Sequence, residues 1–158
     1  MADRSLAEME RRLAVGRDYL AALMRLGFQP DAAAWALVDS ETESRRFELA
    51  IITHWVDTIG SLPIYELLFE AYRSGATPRE IDPFNVSLFS PKAQLADDLA
   101  EYAAQLDKAH DPAPRPMGAS GYVIAPSWIL IHRPAPNRRH DDLHQFAAFK
   151  TNVAQLAA

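Results

Sequence analysis

The sequence predicts an α+β or mixed α/β domain, a helix-flanked mixed sheet of four to five strands in the order α-β-β-α-β-α-β-α. Three observations carry that prediction. A long amphipathic stretch opens the chain, two short apolar runs flank a polar stretch, and strand-forming segments then alternate with helical patterns.

The first helix spans about residues 5–26. Leu6, Met9, Leu13, Leu20 and Leu23 recur at helical spacing, with Arg11, Arg12, Arg17 and Asp18 between them. Ser5 and Glu8 fit a capping box at its start, and Gly27 followed by Pro30 suits its end. Gly16 interrupts the apolar stripe and leaves room for another backbone to approach.

Ala34–Asp39 and Phe47–Thr53 alternate as strands around the polar loop at 40–46, so they form an antiparallel hairpin. Trp35, Leu37, Leu49 and Ile51 fall on its inner face. A second helix begins near Ser61 or Leu62, with Pro63 in the first turn, where its missing N–H costs nothing. Ile64, Leu67, Leu68, Ala71 and Tyr72 form its buried stripe before Gly75. Phe84–Phe89 is the third strand, and Ser90-Pro91 opens a third helix with Leu95, Leu99, Tyr102 and Leu106 inward.

The 158 residues suit one domain, residues 1–158. Asp111-Pro112-Ala113-Pro114-Arg115-Pro116 cannot be helical and reads as a stiff connector, joining residues 1–108 to a C-terminal strand and helix. Tyr122–Ala125 and Trp128–Ile131 are strand-forming, with Pro126 forcing an edge, a bulge or a break. A last helix starts between Asn137 and Asp141, with Leu143, Phe146, Phe149 and Val153 on its apolar side.

A net charge of −5 opposes a polyphosphate backbone and argues against general nucleic-acid binding. The absence of cysteine removes disulfides, thiol nucleophiles and thiolate metal sites. The opening residues lack a basic-then-apolar signal, and the longest apolar run, Ala32–Val38, is far short of the ~20 residues that span a bilayer. A cytoplasmic location with no membrane association is the expectation.

No Gly-rich phosphate loop, Gly-x-Ser-x-Gly elbow or His-Glu-x-x-His pattern occurs. The lysines, Lys92, Lys108 and Lys150, lie on no predicted strand beside an acid, which removes the central residue of a magnesium nuclease core. His140 and His144 have zinc-ligand spacing, but Asp141 and Asp142 beside them suit a helix start, where the helix dipole favours negative charge. No metal, cofactor or catalytic residue is expected. Arg133, Arg138, Arg139 and Lys150 form a local basic cluster, read as a solvated rim.

Topology supplies the candidate site. Ligands of α/β sheets settle outside the carboxyl ends of parallel strands. If the second, third and last strands run parallel, three tails meet on one edge: Thr53 to Asp57, Ser87 to Ser90, and His132-Arg133. His54, Trp55, Asp57, Ser90, His132 and Arg133 are therefore the candidate ligand-binding residues, for a small ligand or an anion. The leading expectation is a non-enzymatic interaction or regulatory module of a bacterial-type cytoplasmic protein, partnered by protein, itself or another. A ligand-binding domain comes second, and an enzyme using His54 or His132 as acid–base comes third.

Overall fold

The computed structural model describes residues 2–38, 46–106, 115–117, 121–133 and 141–156. Its fold is the predicted one, a mixed sheet flanked by helices. Helix α1 (Ala2–Arg25) leads through Gly27, at φ 105°, into β1 (Ala32–Val38). β2 (Arg46–Ile52) returns antiparallel, in register from Ala32 opposite Ile52 to Val38 opposite Arg46. Trp35 therefore faces Leu49, the cross-strand pairing that the alternation predicts. β1 begins two residues earlier than expected, because the alanines at 32 and 33 extend the ladder.

After β2 the chain makes one helical turn, α2 (Trp55–Thr58), and then α3 (Ser61–Arg73). Sequence reading carried residues 53–57 as a strand tail. Instead the Thr53 hydroxyl accepts the Trp55 N–H at 3.3 Å and helps turn the chain at once. β3 (Val86–Phe89) runs parallel to β2 and is shorter than expected. Asp82 caps a 3-10 turn at Pro83–Asn85, accepting the Phe84 N–H at 2.9 Å. That turn swings Phe84 out of the predicted strand and into water, 82% exposed.

α4 (Gln94–Leu106) follows a turn in which the Ser90 hydroxyl accepts the Lys92 N–H at 3.1 Å, so Ser90 caps that turn rather than the helix itself. The proline segment corrects a second expectation. Residues 111–114 lie outside the described residues, but Arg115–Met117 form a strand, β4, antiparallel to β5 (Tyr122–Ile124), so the connector ends inside the sheet. Pro126 then breaks the next segment into two. One 3-10 turn at Pro126–Trp128 separates β5 from β6 (Ile129–His132), and both pair antiparallel with the same edge of β1. Among the described residues the sheet thus has six strands, in the order β3-β2-β1-β5-β4 with β6 also on β1. The chain closes with α5 (Asp142–Gln155), capped by Asp141 as the acidic pair predicts.

Both faces of the sheet are covered. Ala33, Trp35, Leu49 and Ile51 meet Tyr19, Leu20 and Leu23 of α1, Ile64 and Leu68 of α3, and Phe149 and Val153 of α5. Ala34, Ala36, Ala50 and Ile52 meet Leu95 and Leu99 of α4. Leu37, expected inside, is only half-buried at the end of β1. Gly16 is buried against the Trp35 indole, where a Cβ would lie 2.6 Å from Nε1, so a side chain rather than a backbone takes the space it leaves.

The free edge of β3 is closed by α3. The Tyr65 hydroxyl donates to the Val86 carbonyl at 2.6 Å and accepts the Leu88 N–H at 3.2 Å. Unpaired edge groups invite pairing with another chain, and this phenol occupies them. Burial holds its pKa above the ordinary value.

Candidate functional site

Strand direction decides where the candidate residues go. β1 is antiparallel to β2 and β6, and β2 is parallel to β3, so β2, β3 and β6 all end at one edge of the sheet. The exits then diverge. β2 leads into α2 and α3 on one face, while β3 leads into α4 on the other.

His54 stands at that edge between two carboxylates. Its main-chain N–H donates to Asp31 Oδ2 at 2.8 Å, and its Nδ1 lies 3.0 Å from Oδ2 and 3.1 Å from Oδ1 of the same residue. On the far side of the ring, Nε2 lies 3.1 Å from Asp142 Oδ1, within ion-pair distance but off hydrogen-bond alignment. The Thr58 hydroxyl donates to the other Asp142 oxygen at 2.6 Å. The start of β1, the exit of β2, α2 and the first turn of α5 are thereby tied through one imidazole, whose side chain is 16% exposed. The ring is thus clasped between two carboxylates drawn from distant parts of the chain.

Trp55 is wholly buried. Its indole packs against Phe28, Phe146 and Phe149 at centroid distances of 5.4, 5.6 and 5.7 Å, as part of the core rather than the lining of a site. Asp57 and Ser90 are brought together as the topology predicts. The Ser90 hydroxyl donates to Asp57 Oδ1 at 2.6 Å, bridging the exits of β2 and β3 where they diverge. The Arg133 main-chain N–H donates to the Asp31 carbonyl at 2.7 Å, and its side chain is exposed.

His132 does not join His54. It sits opposite Ala32, on the α4 side, whereas Asp142, the carboxylate facing His54 Nε2, comes from α5 on the other face. The two imidazoles therefore share an edge but not a pocket.

Sequence reading missed Asp31 and gave Asp142 only its charge at a helix start. A signal for Asp31 existed. Extending the hairpin register one step beyond Ala32 and Ile52 places Asp31 opposite Thr53, beside His54.

Among the described residues no three histidine or acidic side chains converge in a metal-holding arrangement. Asp141 accepts the His144 N–H at 3.4 Å, the capping role. His140, Arg138 and Arg139 lie outside the described residues, as does the loop at 39–45. Among the described residues no helix is long and apolar enough to cross a membrane. No family model matches the chain, no curated protein matches it, and no solved structure matches it.

Proposed function

We propose that this chain is an interaction or regulatory module that associates with protein, in the first place with a second copy of itself. The observation that carries the reading is the exposure of Leu62 and Leu143, at 69% and 68%. Both stand in the first turn of their helices, α3 and α5. These helices run side by side in the same direction: Thr58 just before α3 bonds Asp142 in α5, and Glu70, Arg73, Val153 and Leu156 line one groove at their other ends.

Two large aliphatic side chains presented beside a closed polar clasp resemble an interface core with its polar rim. At ~25 cal/mol per Å² of apolar surface, burying a few hundred Å² contributes several kcal/mol before association costs. The stripe of α1 contributes less than its sequence suggests. Leu20 and Leu23 are buried and Met9 and Leu13 pack partly against the core, which leaves Leu6 exposed.

Light scattering at micromolar concentration tests the reading. The expected result is a dimer that the double variant Leu62→Glu, Leu143→Glu converts into a folded monomer. A monomeric wild type at that concentration overturns self-association, and an unchanged dimer in the variant moves the interface elsewhere.

A second reading, a small ligand at the strand ends, is favoured by the divergence of β2 and β3 at Asp57 and Ser90. Asp31, Asp57 and Asp142 all stand at that end of the sheet, which weighs toward a cationic or hydroxyl-bearing ligand and against the anion.

A further inference from the structure

The first turns of α1 stand clear of the strand-end cluster and form one wall of an open cleft. Glu8, Arg11, Arg12 and Val15 of α1, Trp35 of β1, and Glu80 and Ile81 from the connection before β3 line a volume of about 420 Å³. That size falls in the range of small-molecule sites. The floor is apolar and fixed. Trp35 is 5% exposed, Ile81 is buried, and Val15 packs against the same core. The Trp35 indole donates to the Arg12 carbonyl at 2.9 Å, and Gly16 makes the room the ring occupies.

Arg12 is the unusual member of this wall. Its guanidinium carbon lies 3.9 Å from the Phe47 ring centroid and 5.9 Å from that of Trp35. It is half-buried, and burial lowers its pKa from the ordinary value while Glu8 pulls it back. Glu8 precedes it by one turn, the favoured spacing for a helical ion pair. Even so, among the described residues no carboxylate oxygen lies within ion-pair distance of the Arg12 guanidinium. Among the described residues this charge, drawn partly out of water, meets ring faces and no carboxylate, and so keeps its N–H edge available. That edge matches a carboxylate in bidentate geometry.

We propose that this cleft binds a small organic monocarboxylate, its head on Arg12 and its apolar or aromatic body over Val15, Trp35 and Ile81. Arg11 supplies a second cation on the rim. Glu8 and Glu80 offset the two guanidinium groups, so the cleft selects one negative charge joined to an apolar body over a compact polyanion. The site lies on α1 and is independent of the surface formed by Leu62 and Leu143.

The test follows the indole N–H resonances of Trp35, Trp55 and Trp128 by NMR while phenylacetate, inorganic phosphate or benzylammonium is added. Phenylacetate should shift the Trp35 resonance saturably and leave Trp55 in place, while phosphate and benzylammonium should not. Arg12→Met should weaken phenylacetate by about tenfold or more, the loss of a charge-assisted hydrogen-bonded pair. Arg17→Met, an exposed α1 arginine outside the cleft, should leave it unchanged. An unmoved Trp55 resonance in Arg12→Met shows that the core is intact, and Arg12→Lys provides a second variant that keeps the charge but loses the planar fork. The proposal is overturned by any of three results: no saturable Trp35 shift, the same response to all three probes, or undiminished affinity in Arg12→Met.

Discussion

The cluster around His54 and the wall around Arg12 use similar materials. Each holds a basic side chain partly out of water, and each has two carboxylates close by in space. At His54 the carboxylates close in: Asp31 and Asp142 reach the two ring nitrogens at 3.0 and 3.1 Å, and Thr58 engages Asp142. At Arg12 the aromatic ring closes in at 3.9 Å while Glu8 and Glu80 stay on the rim. Burial with partners reads as scaffold, because the charged groups face one another rather than a ligand. Burial without a carboxylate partner reads as readiness to receive one.

The largest expected effect breaks what both regions share. The His54 cluster hangs from the Asp31–Thr53 end of the β1–β2 hairpin, and the Arg12 wall rests on Trp35 in its middle. Leu49 is fully buried directly opposite Trp35. Leu49→Ala should cost roughly 2–5 kcal/mol in a denaturant melt, the range for a large-to-small core change. A loss under about half a kcal/mol would mean that the two regions do not depend on this ladder.

A smaller effect is expected from the clasp alone. Asp142→Ala removes the acceptor for the Thr58 hydroxyl and the carboxylate facing His54 Nε2. The lost hydrogen bond goes to a charged acceptor, and the part-buried imidazole loses the carboxylate on that side, so the change should cost about 1–3 kcal/mol in the same melt. If stability is unchanged, the imidazole does not tie α5 to the sheet, and the contrast with Arg12 loses its first half.

Much of this fold was legible because its signals are local. The spacing of Leu13, Leu20 and Leu23, the alternation through Trp35 and Leu49, and Ser61 with Pro63 at a helix start each act within a few residues. Where the structure differs, a competing local signal or the position within an element outweighs the apolar pattern. Phe84 looks strand-forming, yet the Asp82 cap turns it into water. Leu143 fits the apolar spacing of α5 but belongs to its first turn, beyond the edge of the core. Arg115 and Pro116 looked like connector because their strand is only three residues long. The strand-end edge itself could be anticipated from topology. The partners of His54 could not, since Asp142 arrives from 88 positions along the chain. Nothing in the sequence marks Arg12, whose setting depends on Phe47 from a different strand and on the loop at Glu80 and Ile81.

The smallest expected effect is the sharpest on the comparison. Arg12→Met removes a cation resting on Phe47, a contact worth about 0.5–1 kcal/mol at exposed sites and ~2 when desolvated. The same change removes a half-buried charge without a carboxylate partner among the described residues, and that relief acts in the opposite direction. Methionine also keeps an unbranched stem over the ring, and a sulfur–aromatic contact contributes about 0.3–1.5 kcal/mol. The Trp35 hydrogen bond survives, because it goes to the Arg12 main-chain carbonyl. These opposing contributions place the net change in stability within about half a kcal/mol of zero, well below the expected loss for Asp142→Ala. A urea melt of the two variants side by side measures the difference. A loss above about 2 kcal/mol for Arg12→Met would show that the guanidinium holds α1 to the hairpin, making it scaffold of the same kind as His54. A change near zero, alongside a clear loss for Asp142→Ala, leaves Arg12 as the group whose environment the fold itself does not need.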